Sequence, residues 1–119
     1  MDRNPNEYDL EERTFKFAKS VALFIKKLDY SISNSEYSKQ VVRSSGSVSA
    51  NYIEANESLG KKDFLMHVKI CRKEAKETAN WIRLLIETND PKFLDEGKKI
   101  YNESIELKKI FSAIINKSE

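Results

Sequence analysis

The residues best suited to chemistry are few: one histidine, His67, one cysteine, Cys71, and two polar pairs, Asn51 with Glu54 and Glu74 with Glu77, each spaced three apart. A di-metal centre in a helical bundle is built from Glu residues and Glu-x-x-His pairs on facing helices. The residue three before His67 is Phe64, so no such pair exists and no metal centre is expected. One histidine is too few for a convincing Ser-His-Asp or Cys-His constellation. Cys71 falls on an apolar stripe, where a small buried thiol is the ordinary reading. No glycine-rich phosphate loop is present. The two spaced pairs share helix faces. They read either as a carboxylate acid/base pair or as a structural polar network that fixes helix register when every group is partnered. The structural reading is preferred, because solvated or ion-paired helix carboxylates are the default. The expectation is therefore no catalytic residue, no cofactor and no small-molecule substrate.

The charges between residues 61 and 87 are segregated. At about 100° per residue, Lys62, Lys69, Arg72, Lys73, Lys76 and Arg83 fall within roughly 100° of one another, opposite the apolar stripe. Asp63, Glu74 and Glu77 fall to one side. With Arg43 these cations are the candidate contacts to nucleic-acid phosphates, against the alternative of a solvated helix face. No aromatic residue is interleaved with the stripe, so base stacking has little support here. Lys98, Lys99, Lys108 and Lys109 are candidates to extend the surface. Met66, Ile70, Trp81 and Leu84 form a second apolar group on the acidic side. They read either as a wide core stripe or as a subunit interface, where tryptophan is favoured.

These groups must be positioned by helices. The chain has 119 residues, with 34% charged residues and only three glycines and two prolines. That composition suits one helical domain and argues against a disordered chain. The formal net charge of +2 says little by itself about partners. A lone cysteine excludes an internal disulfide, the polar Met1–Glu7 start has no apolar run, and no membrane span is visible; a cytoplasmic setting is expected. Residues 1–8 read as a flexible lead and 9–117 as the domain. Asp9 and Glu12 mark the first helix start, and Leu10, Thr14, Phe17, Val21, Phe24 and Leu28 its buried face, with an end near Leu28–Tyr30. Ser31–Ser35 reads as a turn and Ser33 with Glu36 as a capping box. A second helix follows, with Val41, Ser45, Val48, Tyr52 and Ala55 inward. Its middle, Ser44–Ala50, is small-residued and a poor helix former, so a flexible linker is the alternative. After a turn at Asn56–Gly60, Phe64, Val68, Cys71, Ala75, Thr78, Ile82 and Leu85 alternate steps of four and three. Asp90 and Pro91 open a fourth helix with Phe93, Gly97, Ile100, Ser104, Leu107, Phe111 and Ile114 inward. Short connections make neighbours antiparallel, and the prediction is an all-α, up-down-up-down four-helix bundle.

Two stretches resemble a known family. They are Arg43-Ser44-Ser45-Gly46-Ser47-Val48-Ser49-Ala50-Asn51-Tyr52-Ile53-Glu54, and Lys62-Asp63-Phe64 followed by Lys73–Thr78 and Trp81–Leu85. The pattern is similar to the bacterial four-helix bundle family named for proteins encoded by intervening sequences in large-subunit ribosomal RNA genes. That family also includes accessory proteins of diversity-generating retroelements. The likeness covers roughly Phe17–Ile86. It departs at Ser49, Ala55 and Gly60, where the family often has Pro, Gly and Ser. The resemblance implies a bundle without known enzymatic activity, often a ring-like homopentamer, associated with RNA or a nucleoprotein. The expected function is thus a non-enzymatic homo-oligomer that presents basic surfaces to RNA or a nucleoprotein. The alternative is an interaction or scaffold module that binds no nucleic acid.

Overall fold

The computed structural model describes residues 10–119, and within them there are four α-helices and no strand. The expected lead over 1–8 and the helix-start role of Asp9 lie outside the described residues. Helix α1 spans Leu10–Ile25, α2 Ile32–Asn56, α3 Lys61–Glu87 and α4 Leu94–Ser118, with a 3₁₀ turn at Pro91–Phe93 leading into α4.

Cross-helix pairs fix the relative directions. Glu11 near the start of α1 meets Asn56 at the end of α2. Asn34, Ser44 and Asn51 of α2 meet Asn89, Thr78 and His67 in reverse order. Lys69 of α3 meets Glu119, while Ile86 lies against Gly97. Lys27, two residues beyond the end of α1, meets Glu96 near the start of α4. Each neighbouring pair is antiparallel, as short connections require.

The buried stripes supply the core. Phe17, Val21 and Phe24 of α1, Val41, Val48 and Tyr52 of α2, Val68, Cys71, Ile82 and Leu85 of α3, and Ile100, Leu107 and Phe111 of α4 form one cluster. In α4 the last buried position is Ile115 rather than Ile114, which is half-buried. A true period of 3.6 residues drifts from a strict four-three alternation within a few turns, and here it favours a second step of four.

The turn into α2 differs from expectation. Helix α1 ends at Ile25, and residues 26–31 make the connection. Ser31, not Ser33, is the N-cap: Asn34 N–H donates to its Oγ at 3.0 Å. Asn34 and Asn89 then exchange two amide hydrogen bonds of 2.8 Å each, tying the start of α2 to the end of α3. Asp90 does cap as expected, but the segment it caps is the 3₁₀ turn, through Lys92 N–H at 2.8 Å.

Helix α2 runs unbroken through Ser44–Ala50, which excludes the linker alternative. Ser44 and Ser45 are buried and let α2 approach α3. Thr78 Oγ1 donates to the Glu74 carbonyl at 2.9 Å and pairs with Ser44 Oγ at 2.8 Å, so these hydroxyls enter the core with partners. Cys71 Sγ–H points at the Val48 carbonyl, 3.4 Å away. Burial pushes this thiol up from its ordinary 9.0 to about 12.

The folded protein should therefore resist thiol reagents at neutral pH, and Cys71 should react only after unfolding. Between 9.0 and about 12 the unfolded chain has released a proton that the folded chain keeps, so stability falls as pH rises through that window. The slope contributed is about 1.4 kcal/mol per pH unit. Urea midpoints of the wild type should decline more steeply above pH 9.0 than those of Cys71→Ala; parallel profiles would contradict the buried-thiol account.

Candidate functional site

Helix α3 packs between α2 and α4, so each side of it carries a different set of the residues expected to matter. On the α2 side, the four polar residues expected to form one network are not brought together. Glu74 is buried, 7% exposed, with Arg43 Nη1 at 3.8 Å from its Oε2, and the other guanidinium nitrogen lies 3.8 Å from Glu77 Oε1. Asn51 is several turns away. Its Nδ2 donates to the Ser47 carbonyl at 3.0 Å, which aims its Oδ1 at His67 Nδ1, also at 3.0 Å. A carboxamide oxygen only accepts, so His67 Nδ1 carries a proton. Nε2 lies 3.5 Å from Asp63 Oδ1. Glu54 is exposed and its side chain has no partner among the described residues. The reason is rotational: with Val48 and Tyr52 of α2 turned inward, Asn51 borders the seam, and Glu54, about 60° farther round the same flank, is left in solvent.

Two polar atoms on this side are buried without a partner among the described residues, Glu74 Oε1 and Trp81 Nε1. The Trp81 ring is half-buried, packs on the core and stacks at 5.8 Å on Tyr37. Ile70 and Leu84 are half-buried and Met66 is exposed, so the candidate interface residues form an apolar strip flanking the α2–α3 seam. Arg43 stands on this acidic side, apart from the other candidate phosphate contacts.

The α4 side and outer face of α3 carry those others. Lys62, Lys69, Lys73, Lys76 and Arg83 are exposed and Arg72 half-buried. Two are paired: Lys69 lies 3.4 Å from Glu119 Oε2, and Arg83 Nε donates to Glu87 Oε2 at 2.9 Å, a carboxylate that raises the guanidinium pKa further. Lys62, Arg72, Lys73 and Lys76 have no acidic partner among the described residues. Lys108 of α4 joins Lys76 and Arg83 along an open groove between α3 and α4. Tyr101, Ile105 and Asn80 line the same groove. Tyr101 escapes a reading of the sequence because its neighbourhood to the cations depends on how α4 is rotated against α3.

Both His67 nitrogens face fixed partners, Cys71 is enclosed, and among the described residues no group of three or more His, Cys, Asp or Glu could hold a metal ion. No helix among the described residues is long and apolar enough to cross a membrane.

A family model described as 23S rRNA-intervening sequence protein matches residues 6–113. No curated protein matches the chain. Among solved structures, the chain is similar to a protein from Bacteroides thetaiotaomicron VPI-5482, described as of unknown function and from the S23 ribosomal protein family. The two are 30% identical, with a TM-score of 0.74, over 89% of this chain and 97% of the other.

Proposed function

The chain belongs to the 23S rRNA-intervening sequence protein family, and from that premise we propose that it is a non-enzymatic, self-associating helical bundle that binds RNA or a nucleoprotein through the basic face of α3 and α4. The observation that carries this reading is the run of Lys62, Arg72, Lys73 and Lys76 without acidic partners among the described residues, extended across the groove by Lys108. On a nearly balanced chain, such a one-sided field attracts phosphates and releases their counterions. Interactions of this kind position a backbone without reading its sequence.

The test is RNA binding measured across a salt series. Log affinity should fall linearly with log salt. Lys73→Glu/Lys76→Glu should weaken binding by at least about tenfold, and the slope should flatten by about 0.7–0.9 for each phosphate no longer neutralised. Salt-independent binding, or none, removes the reading. Lys16→Glu/Lys19→Glu, on exposed α1 positions, serves as the charge-matched control.

A second reading, a protein-interaction module without nucleic-acid binding, is favoured by the apolar strip of Met66, Ile70, Trp81 and Leu84. A buried Trp81 Nε1 with no acceptor among the described residues is costly unless a partner supplies one. If copies of this chain supply it, Trp81→Phe should weaken assembly at least about tenfold, as removal of an interfacial anchor does, while the helices stay folded. Light scattering reads the mass, and an unchanged mass would count against the strip as the interface.

A further inference from the structure

The α3–α4 groove holds more than cations. Its lining sets Lys76, Arg83 and Lys108 beside the apolar Ala79 and Ile105 and the rings of Tyr101 and Trp81. The antiparallel register set by Ile86 against Gly97 and Lys69 against Glu119 puts Tyr101 opposite Arg83, and Lys108 opposite Lys76. Tyr101 lies in the same groove as Arg83, and it is half-buried and packed against the core. Asn80 adds an exposed amide, which offers both a donor and an acceptor. Among the groove's lining residues the one carboxylate is Glu77, already beside Arg43. The groove encloses about 480 Å³ and is open to solvent, within the range of about 300–1,000 Å³ that suits small planar ligands.

A phosphate-binding face needs no aromatic ring. A ring packed against the core beside apolar side chains and cations is what a base and its phosphate need together, because stacking rewards a flat π surface and the cations hold the backbone. We propose that this groove seats an unpaired nucleotide of a single strand, with its base on Tyr101 and its flanking phosphates on Lys76, Lys108 and Arg83. Binding a phosphate here draws Arg83 away from the exposed Glu87 it now meets. The inference rests on the nucleic-acid reading above and narrows its ligand to unpaired segments such as loops, bulges and ends, because in a duplex the bases are stacked on one another and closed to the ring.

The experiment compares a uridine dodecamer with a duplex RNA of the same length, by fluorescence anisotropy at one salt concentration. Tyr101→Leu, which keeps apolar packing but removes the ring, should lose about tenfold in affinity for the single strand. The duplex should lose less than twofold, and the salt slope should not change. Tyr101→Phe should bind like the wild type. Equal single-strand binding by wild type and Tyr101→Leu overturns the stacking site; weaker binding by Lys73→Glu/Lys76→Glu would then leave the broader phosphate reading standing. No binding of either RNA by the wild type removes both. A measurement without substitutions accompanies it: photocrosslinking of a thiouridine-labelled strand should mark the α4 peptide that contains Tyr101. Adducts confined to peptides outside α3 and α4 would overturn the site.

Discussion

Phe111→Ala is expected to cost about 4 kcal/mol, the usual range for emptying a buried aromatic site being about 3–5 kcal/mol. Phe111 is fully enclosed, and its ring lies 6.1 Å from that of Tyr52, reaching across from α4 to α2. Truncation separates helices that are not sequence neighbours and leaves a cavity that the rigid backbones of α2 and α4 cannot close. Domains of this size have total stabilities of about 5–15 kcal/mol, so one residue takes away a large share. Urea unfolding followed by circular dichroism would read it as a lower midpoint at unchanged slope. A loss under about 1.5 kcal/mol would show that the bundle collapses onto the gap more readily than its packing implies.

The opposite change, adding volume, is expected to be nearly as damaging at Gly97. A Cβ there would lie 2.6 Å from Ile86 Cγ1, 2.9 Å from its Cδ1 and 3.2 Å from Phe24 Cζ. Glycine is normally a poor helix residue, and replacing it with alanine in an open helix gains about 1 kcal/mol. Here the gain meets a clash with a branched side chain close to its own backbone. Gly97→Val should therefore destabilise by about 3 kcal/mol, at the upper end of overpacking effects. Gly46→Ala provides the contrast, since nothing lies within 4 Å of a Cβ built there, and it should stabilise. A thermal melt of the two variants checks the pair; a stabilised Gly97→Val would show that α4 and α3 are free to separate.

The helical fold was legible because buried residues recur at helical spacing over many turns, and in α3 from Val68 to Leu85 the stripe is buried throughout. What misled was local. Ser31 and Ser33 both satisfy the composition of an N-cap, and Asn34 accounts for the choice: its backbone N–H meets Ser31 while its side chain pairs with Asn89, fifty-five residues away. No local pattern carries that information. The basic face was legible for the same reason as the core, since its members lie on one helix. The groove was not. Tyr101, Lys108 and Lys76 become neighbours only through the rotation of α4 against α3, and Glu54 leaves its expected network through the rotation of α2. Relative helix rotation is a property of the packed interface, set by which small residues, here Ser44, Ser45 and Gly97, allow close approach.

The central place of α3 bears on how the chain comes off the ribosome. Synthesis delivers α1 and α2 first. Without α3, the Ser44–Ala50 run has weak intrinsic preference for helix, and Val41 and Val48 have only the short, 16-residue α1 to cover them. Folding must then wait for residues 61–87, and the N-terminal half spends that interval with apolar side chains open to other chains. Packing of α3 against both of its neighbours is what ends this exposure, and it cannot be complete until residue 87 has been made.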